Sequence, residues 1–245
     1  MSRVGAGAIV AISALAWSKS VLAYRPFDST DADVAKVREL EFEIGPAGYL
    51  LAENGHQFVV PALIANAGIF EGCELVLEGK NRIRATSTSG EPRDELGDAA
   101  LSLKAMLREG SMQEGSGPSV ATEVGTLLPA TGPETGFGAS GALIVSHRAG
   151  IGAAHLNGGA FLGRTHHPGT FAGLVLEGPF EWPVRPVVEG FFESEFDVET
   201  IETGLAGFIW RARENLSFDS AVRAGRASGM KLVEVRAGLT WGFGL

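Results

Sequence analysis

Residues 233–245 read VEVRAGLTWGFGL, with the apolar side chains on every second position. Val233, Val235, Ala237, Leu239, Trp241, Phe243 and Leu245 share one face, and Glu234, Arg236, Gly238, Thr240 and Gly242 take the other. A period of two is the mark of a β-strand, whose successive side chains point to opposite sides. One face can therefore meet hydrocarbon, with aromatics two apart as in the girdle of a membrane barrel, while Thr240 on the other face should accept a charge. A soluble β-sandwich can also hold an alternating strand, so the rest of the chain decides.

Upstream, Leu40, Phe42 and Ile44 alternate with Glu39, Glu41 and Glu43. Ala99, Leu101, Leu103, Ala105 and Leu107 oppose Asp98, Ser102 and Lys104, and Ala154, Leu156, Gly158, Ala160 and Leu162 oppose His155 and Asn157. Further strands are expected at 57–66, 72–80, 98–107, 118–128, 139–148, 151–162, 170–178, 183–194, 201–211 and 215–224, making about twelve with the first and last. The strand at 201–211 alternates poorly, since Phe208 and Trp210 share a face with Glu202. Beyond the N-terminal region no segment is apolar for the ~18 residues a membrane helix needs, so any span is built of strands.

The connections carry a second pattern. Polar segments at 80–97, 129–138, 163–169 and 225–230 follow odd-numbered strands and are long. Those after even-numbered strands, at 149–150, 178–181 and 212–214, are short, with 109–117 the exception. An even strand count with short turns on the side of both termini is the bacterial outer-membrane arrangement. The expected fold is all-β, a single antiparallel transmembrane β-barrel over residues 24–245, with the first strand leaving the periplasm.

The N-terminal region supplies the route. Arg3, the apolar run 5–17 and Val21-Leu22-Ala23 read as a secretory signal peptide, residues 1–23, cleaved before Tyr24. Losing Arg3 and Lys19 makes the formal charge of −9 more negative still, which argues against nucleic acid as a partner. Cys73 is the only cysteine, so closure or burial rather than an internal disulfide must stabilise the exported chain. The 34 glycines, spread through strand-like segments, suit bends, bulges and crowded barrel interiors.

Three short motifs fall in order along the chain. Arg25-Pro26-Phe27 with Thr30-Asp31-Ala32-Asp33 precedes the Glu39-Leu40-Glu41 strand; Leu96-Gly97-Asp98 leads into Leu101-Ser102-Leu103-Lys104; and Leu128-Pro129-Ala130-Thr131-Gly132 follows a strand. Together they resemble the outer-membrane family named after the meta-pathway of phenol degradation, over nearly all of the exported chain. The resemblance implies an outer-membrane β-barrel that passes small molecules, aromatic or hydrophobic ones among them, and it does not specify the substrate. The chain departs from the usual barrel ending by placing Leu245 where an aromatic stands. Recognition by the barrel-insertion machinery is then left to Trp241 and Phe243.

Candidate chemistry is sparse outside the lumen. Asp28, Asp31 and Asp33 crowd three carboxylates into a short lead but lack the glycine and distant Glu of a calcium loop, so they read as turn and capping residues on the surface. His147, His155, His166 and His167 suggest no metal set, and no cofactor motif is present. Ser146 and His147 point to opposite faces and cannot form a hydrolase pair, which leaves His155 with a serine on the neighbouring strand as the one candidate pair.

In a barrel the alternation turns Glu41, Glu43, Glu74, Glu78, Glu123, Glu177, Glu189, Glu193, Asp219 and Glu234 inward, against Lys104, Arg185, Arg223 and Arg236, with His155 on the same lumen-lining set. Twelve tilted strands enclose a backbone diameter of roughly 25 Å. That is room for a water-filled passage, or for a closed interior of ion pairs; the sequence permits both. Its excess of acid would favour cations in an open pore. The expected role is a passive, porin-like channel for small molecules, surrounded by outer-membrane lipid. A lipid-modifying barrel enzyme and a secreted binding sandwich are the rivals.

Overall fold

The computed structural model describes residues 25–52, 55–85, 94–131 and 135–245. The signal-peptide reading of residues 1–23 lies outside the described residues. The strands are β1 (Glu39–Ala52), β2 (Gly55–Phe70), β3 (Cys73–Arg84), β4 (Asp94–Arg108), β5 (Ser119–Leu127), β6 (Gly138–Ala149), β7 (Gly152–Leu162), β8 (Pro168–Glu177), β9 (Val184–Glu195), β10 (Glu199–Arg213), β11 (Leu216–Ala227) and β12 (Met230–Gly244). Each pairs antiparallel with the next, and β1 pairs with β12. The sheet closes on itself, so no edge strand is left and a two-sheet sandwich is excluded.

The period of two sorts water from hydrocarbon. In β12, Val235 is 46% exposed on the outside, while Arg236 and Thr240 are 8% and 0% exposed on the inside. Leu77, Leu103, Leu143, Leu156, Leu174, Val188 and Phe208 continue the exposed apolar exterior around the barrel. An apolar surface of this extent is unstable in water and matches a bilayer core. Near the end where β1 begins and β12 finishes, Phe42 stacks on Phe243 with ring centroids 5.7 Å apart, and Trp210 on Phe218 at 5.5 Å. Toward the opposite end, Tyr49 meets Phe58 at 5.4 Å and its hydroxyl bonds His56. Aromatic rings thus flank the apolar band, as interfacial residues do.

Several strands are longer than expected. β1 extends from the expected 40–44 to Glu39–Ala52 because its register against β12 shifts between Ile44 and Ala47, across Pro46. The shift changes which parity faces out, and that hides the strand from a strict alternation. β2 has the same disguise, a shift against β3 between Val59 and Ala62 at Pro61, where proline has no N–H to give to a ladder. The expected loop at 80–97 is also too long. β3 continues to Arg84 with Lys80, Arg82 and Arg84 following Glu74 and Glu78 on the inner face, and β4 begins at Asp94.

The long turn after β4 is the exception foreseen at 109–117, and it folds inward. A single 3₁₀ turn at Ser111–Gln113 buries Met112 and hands its amide N–H to Ser119 Oγ at 3.1 Å.

Candidate functional site

The barrel interior is charged and divided along its axis. Glu41, Glu43, Glu74, Lys104, His155, Glu177, Arg185, Glu189, Asp219, Arg223, Glu234 and Arg236 are all buried. Glu78 is exposed and Glu123 and Glu193 are half-exposed, although they share the inner face. The difference lies in what fills the space between the walls.

That filling is residues 25–38. The acidic lead does not form a surface turn, as expected from its Asp and Ser content; it runs inside the barrel. Its backbone amides need acceptors away from water, and the wall supplies them. Glu43 Oε2 accepts from the Arg25 N–H at 2.8 Å, Glu189 accepts from Asp28 and Ser29 at 2.9 and 2.8 Å, and Glu74 accepts from Ala35 at 2.6 Å. Asn157 brackets Thr30, accepting its N–H at 3.1 Å and donating to its carbonyl at 2.7 Å. Ser146 Oγ accepts from Ala32 at 2.8 Å. Carboxylates foreseen as pore lining are therefore spent on holding a segment of the same chain.

Side chains of the lead reinforce the fit. Phe27 packs against Val187, Leu205, Ile209 and Ala221, and Ala32 against Ala121 and Ile144. Arg25 reaches Asp219 at 3.5 Å and the Ala237 carbonyl at 3.2 Å. It lies where side chains at Gly45 and Gly238 would be, since a Cβ there would come within 2.5 and 2.3 Å of the guanidinium. At the root of the lead, Val37 bridges Gly68, whose added Cβ would strike the Lys36 carbonyl at 1.9 Å.

Asp28 is the electrostatic anchor. Its carboxylate meets Arg223 Nε at 2.7 Å and Arg236 Nη2 at 2.8 Å, while Glu234 takes a second bond from Arg236 at 2.8 Å. Burial alone would raise the Asp28 carboxyl, but the charges of Arg236, Arg223 and Lys80 outweigh it and hold the group at about 2. Asp31 lies 3.7 Å from Lys104. Asp33 accepts from Gln113 at 2.9 Å, so the inward-folded turn grips the lead as well. Burial and the charge of Asp31 nevertheless push the Asp33 carboxyl above its ordinary value.

Ser146 and His155 stand opposite each other on β6 and β7, with Oγ 2.8 Å from Nδ1. His155 Nε2 lies 3.2 Å from Glu177 Oε1, and Glu177 Oε2 lies 3.2 Å from Arg185 Nε. The order serine, imidazole, carboxylate is that of a hydrolase. Here the serine is fully buried and its oxygen already holds the Ala32 amide, so the group braces the lead. Arg148 and Arg185 place their guanidinium groups 3.9 and 4.3 Å from the centre of the Phe180 ring at the same end. Among the described residues no group of three or more His, Cys, Asp or Glu could hold a metal ion.

Toward the end opposite the start of β1 the lumen opens into a vestibule. Lys80 and Arg82 reach Asp98, Lys80 at 3.5 Å, and Arg84 reaches Glu95 at 3.6 Å. Arg164 crosses from the β7–β8 connection to the carbonyls of Leu128 and Ala99, at 2.6 and 2.8 Å. Half-buried Phe161, Phe171 and Phe191 occupy inner positions of β7, β8 and β9. Sequence reasoning missed these bases and rings. The bases sat in what read as a loop, and the rings fall on the parity shared with Gly159, Gly169 and Gly173, where apolar residues were not expected.

No family model and no curated protein matches the chain. Solved structures do. The COG4313 outer membrane channel from Pseudomonas putida F1 superposes with a TM-score of 0.60 at 10% identity, over 89% of this chain and 100% of that one. The KdgM porin superposes with a TM-score of 0.54 at 12% identity, over 84% of this chain and 99% of that one. At such identities the likeness is one of fold, a porin-like twelve-stranded barrel, and the phenol-pathway family name remains a resemblance of motifs.

Proposed function

We propose that this chain is a passive outer-membrane channel for small molecules rather than an enzyme, with residues 25–38 closing its periplasmic half. One observation carries the reading: the wall does not fill its own lumen, and a separate segment, bound largely through its backbone amides, is needed to do so. About eight strands make a barrel whose own side chains just fill it, and twelve enclose a wider interior that suits a passage with a separate closure. The structures it resembles, a porin and an outer-membrane channel, support the same class.

The vestibule supports an aromatic or hydrophobic permeant, because three phenyl rings line it above the lead. The exterior supports outer-membrane lipid as the surroundings, and the outward Trp241 and Phe243 support handling by the barrel-insertion machinery. A lipid-modifying enzyme would need a serine within reach of acyl chains, whereas Ser146 lies inside and is capped. Conductance of the full chain in a planar bilayer, compared with a variant lacking residues 25–36, tests the proposal. The intact chain should conduct weakly and the shortened one in large steps. Equal conductance from the two would overturn the assignment of the lead as the closure.

A further inference from the structure

The vestibule has unequal shares of engaged charge. Its bases all have partners: Lys80 and Arg82 hold Asp98, Arg84 holds Glu95, and Arg164 donates to two backbone carbonyls. Farther in, Arg223 is taken by Asp28 and Glu234. Two carboxylates are not engaged. Glu78 and Glu193 make no hydrogen bond or ion pair among the described residues, although each retains access to solvent.

Glu193 stands among aromatic rings. It lies directly opposite Phe171 in the β8–β9 register, which puts their Cβ atoms ~5 Å apart on one face. Phe191 precedes it by two residues on the same face of β9. Phe161 pairs with Gly169, whose other neighbour is Glu195. The rings lie back over glycines. A Cβ built on Gly169 would meet Phe161 at 2.3 Å, and one on Gly159 would meet Phe171 at 2.6 Å. Glycine on the neighbouring strand thus lets each ring settle against the wall and leaves its other side to the lumen.

A ring face carries negative charge density and attracts cations, more so where water is partly excluded. A carboxylate beside such rings adds, in its ionised form, a negative charge of the same preference. We infer that Glu193, with Phe171 and Phe191, forms a binding site for small amphipathic organic cations, an aromatic or alkyl group bearing an ammonium. This rests on the channel reading and narrows its permeant class. A purely apolar ligand would not use Glu193, and an anion would be repelled by it. The bases that could reverse this preference are already engaged, Lys80, Arg82 and Arg84 by Asp98 and Glu95, Arg223 by Asp28 and Glu234, and Arg164 by two backbone carbonyls.

The test uses three probes with the same ring and different charge: phenethylammonium, 2-phenylethanol and phenylacetate. Each is titrated calorimetrically into the detergent-solubilised full chain, with folding checked by heat-modifiable migration. Phenethylammonium should bind about tenfold more tightly than the alcohol, and phenylacetate more weakly than either. Glu193→Gln should abolish the preference for the amine over the alcohol while keeping the alcohol's affinity. Phe171→Leu should weaken both by about threefold. Equal or tighter binding of phenylacetate, or an undiminished amine preference in Glu193→Gln, would overturn the site. Binding does not require the lead to move, so a barrel that binds the amine yet never conducts would count against the channel and leave the site standing.

Discussion

Arg236 Nη2 lies 2.8 Å from Asp28 Oδ1, joining the lead to the wall across 208 residues of sequence. Both side chains are about nine-tenths buried, and Arg223 completes the grip from the other carboxylate oxygen. Removing one member of such a group leaves the others uncompensated in a dry interior, at a cost of about 3 kcal/mol. Asp28→Asn should therefore loosen the lead while the barrel stays closed. Single-channel recordings should show frequent large openings, with heat-modifiable migration unchanged.

Acid should not release the lead. Asp28, lowered to about 2, contributes docking strength above the ordinary carboxylate range, and that contribution is lost only as pH falls toward 2. Asp33 is shifted the other way, so its contribution is present in acid and fades as pH rises through its raised value. Between about pH 7 and about pH 4.5 the lead should hold as well or better. Open probability in a planar bilayer at the two values checks this. Asp33→Asn should show at neutral pH the tighter closure that wild type gains on acidification.

Ser146 should behave as a brace. A fluorophosphonate probe should leave it unlabelled, because its oxygen is buried and occupied by the Ala32 amide. Ser146→Ala removes the acceptor and leaves that amide unpaired, at a cost of about 1–3 kcal/mol. The readout is increased conductance with no esterase activity to lose.

The exterior was legible in the sequence and the lumen only partly so. Lipid enforces a strict pattern, which is why Val233 to Phe243 could be read residue by residue. Where hydrocarbon ends the pattern relaxes, and Lys80, Arg82 and Arg84 on β3 then looked like loop. The lead was illegible for a different reason. Its contacts, such as Thr30 with Asn157 and Arg236 with Pro26, span 127 and 210 residues and follow no local period. One signal was available: an acidic lead, Asp28, Asp31 and Asp33, ahead of a lumen holding Lys104, Arg223 and Arg236. Charge complementarity at a distance could have paired them, and the inward turn at 109–118 could have marked where the lead lies.

The two faces of β12 give the last test, and the structure changes its expected result. Leu239 faces outward, where a lysine near mid-membrane costs about 2–4 kcal/mol, so Leu239→Lys should reduce insertion in envelope fractions. Thr240, its inward neighbour, was expected to tolerate a lysine because a lumen admits water. It is instead fully buried, with no hydrogen-bond partner for its hydroxyl among the described residues. Thr240→Lys should still insert, since its charge does not meet lipid, but the larger side chain must displace the filling and raise conductance. Glu78→Lys, in the open vestibule, should insert and remain as closed as wild type. If Thr240→Lys blocks insertion, or Leu239→Lys inserts normally, then the strand faces have been assigned the wrong way round and the inner set of charges falls with them.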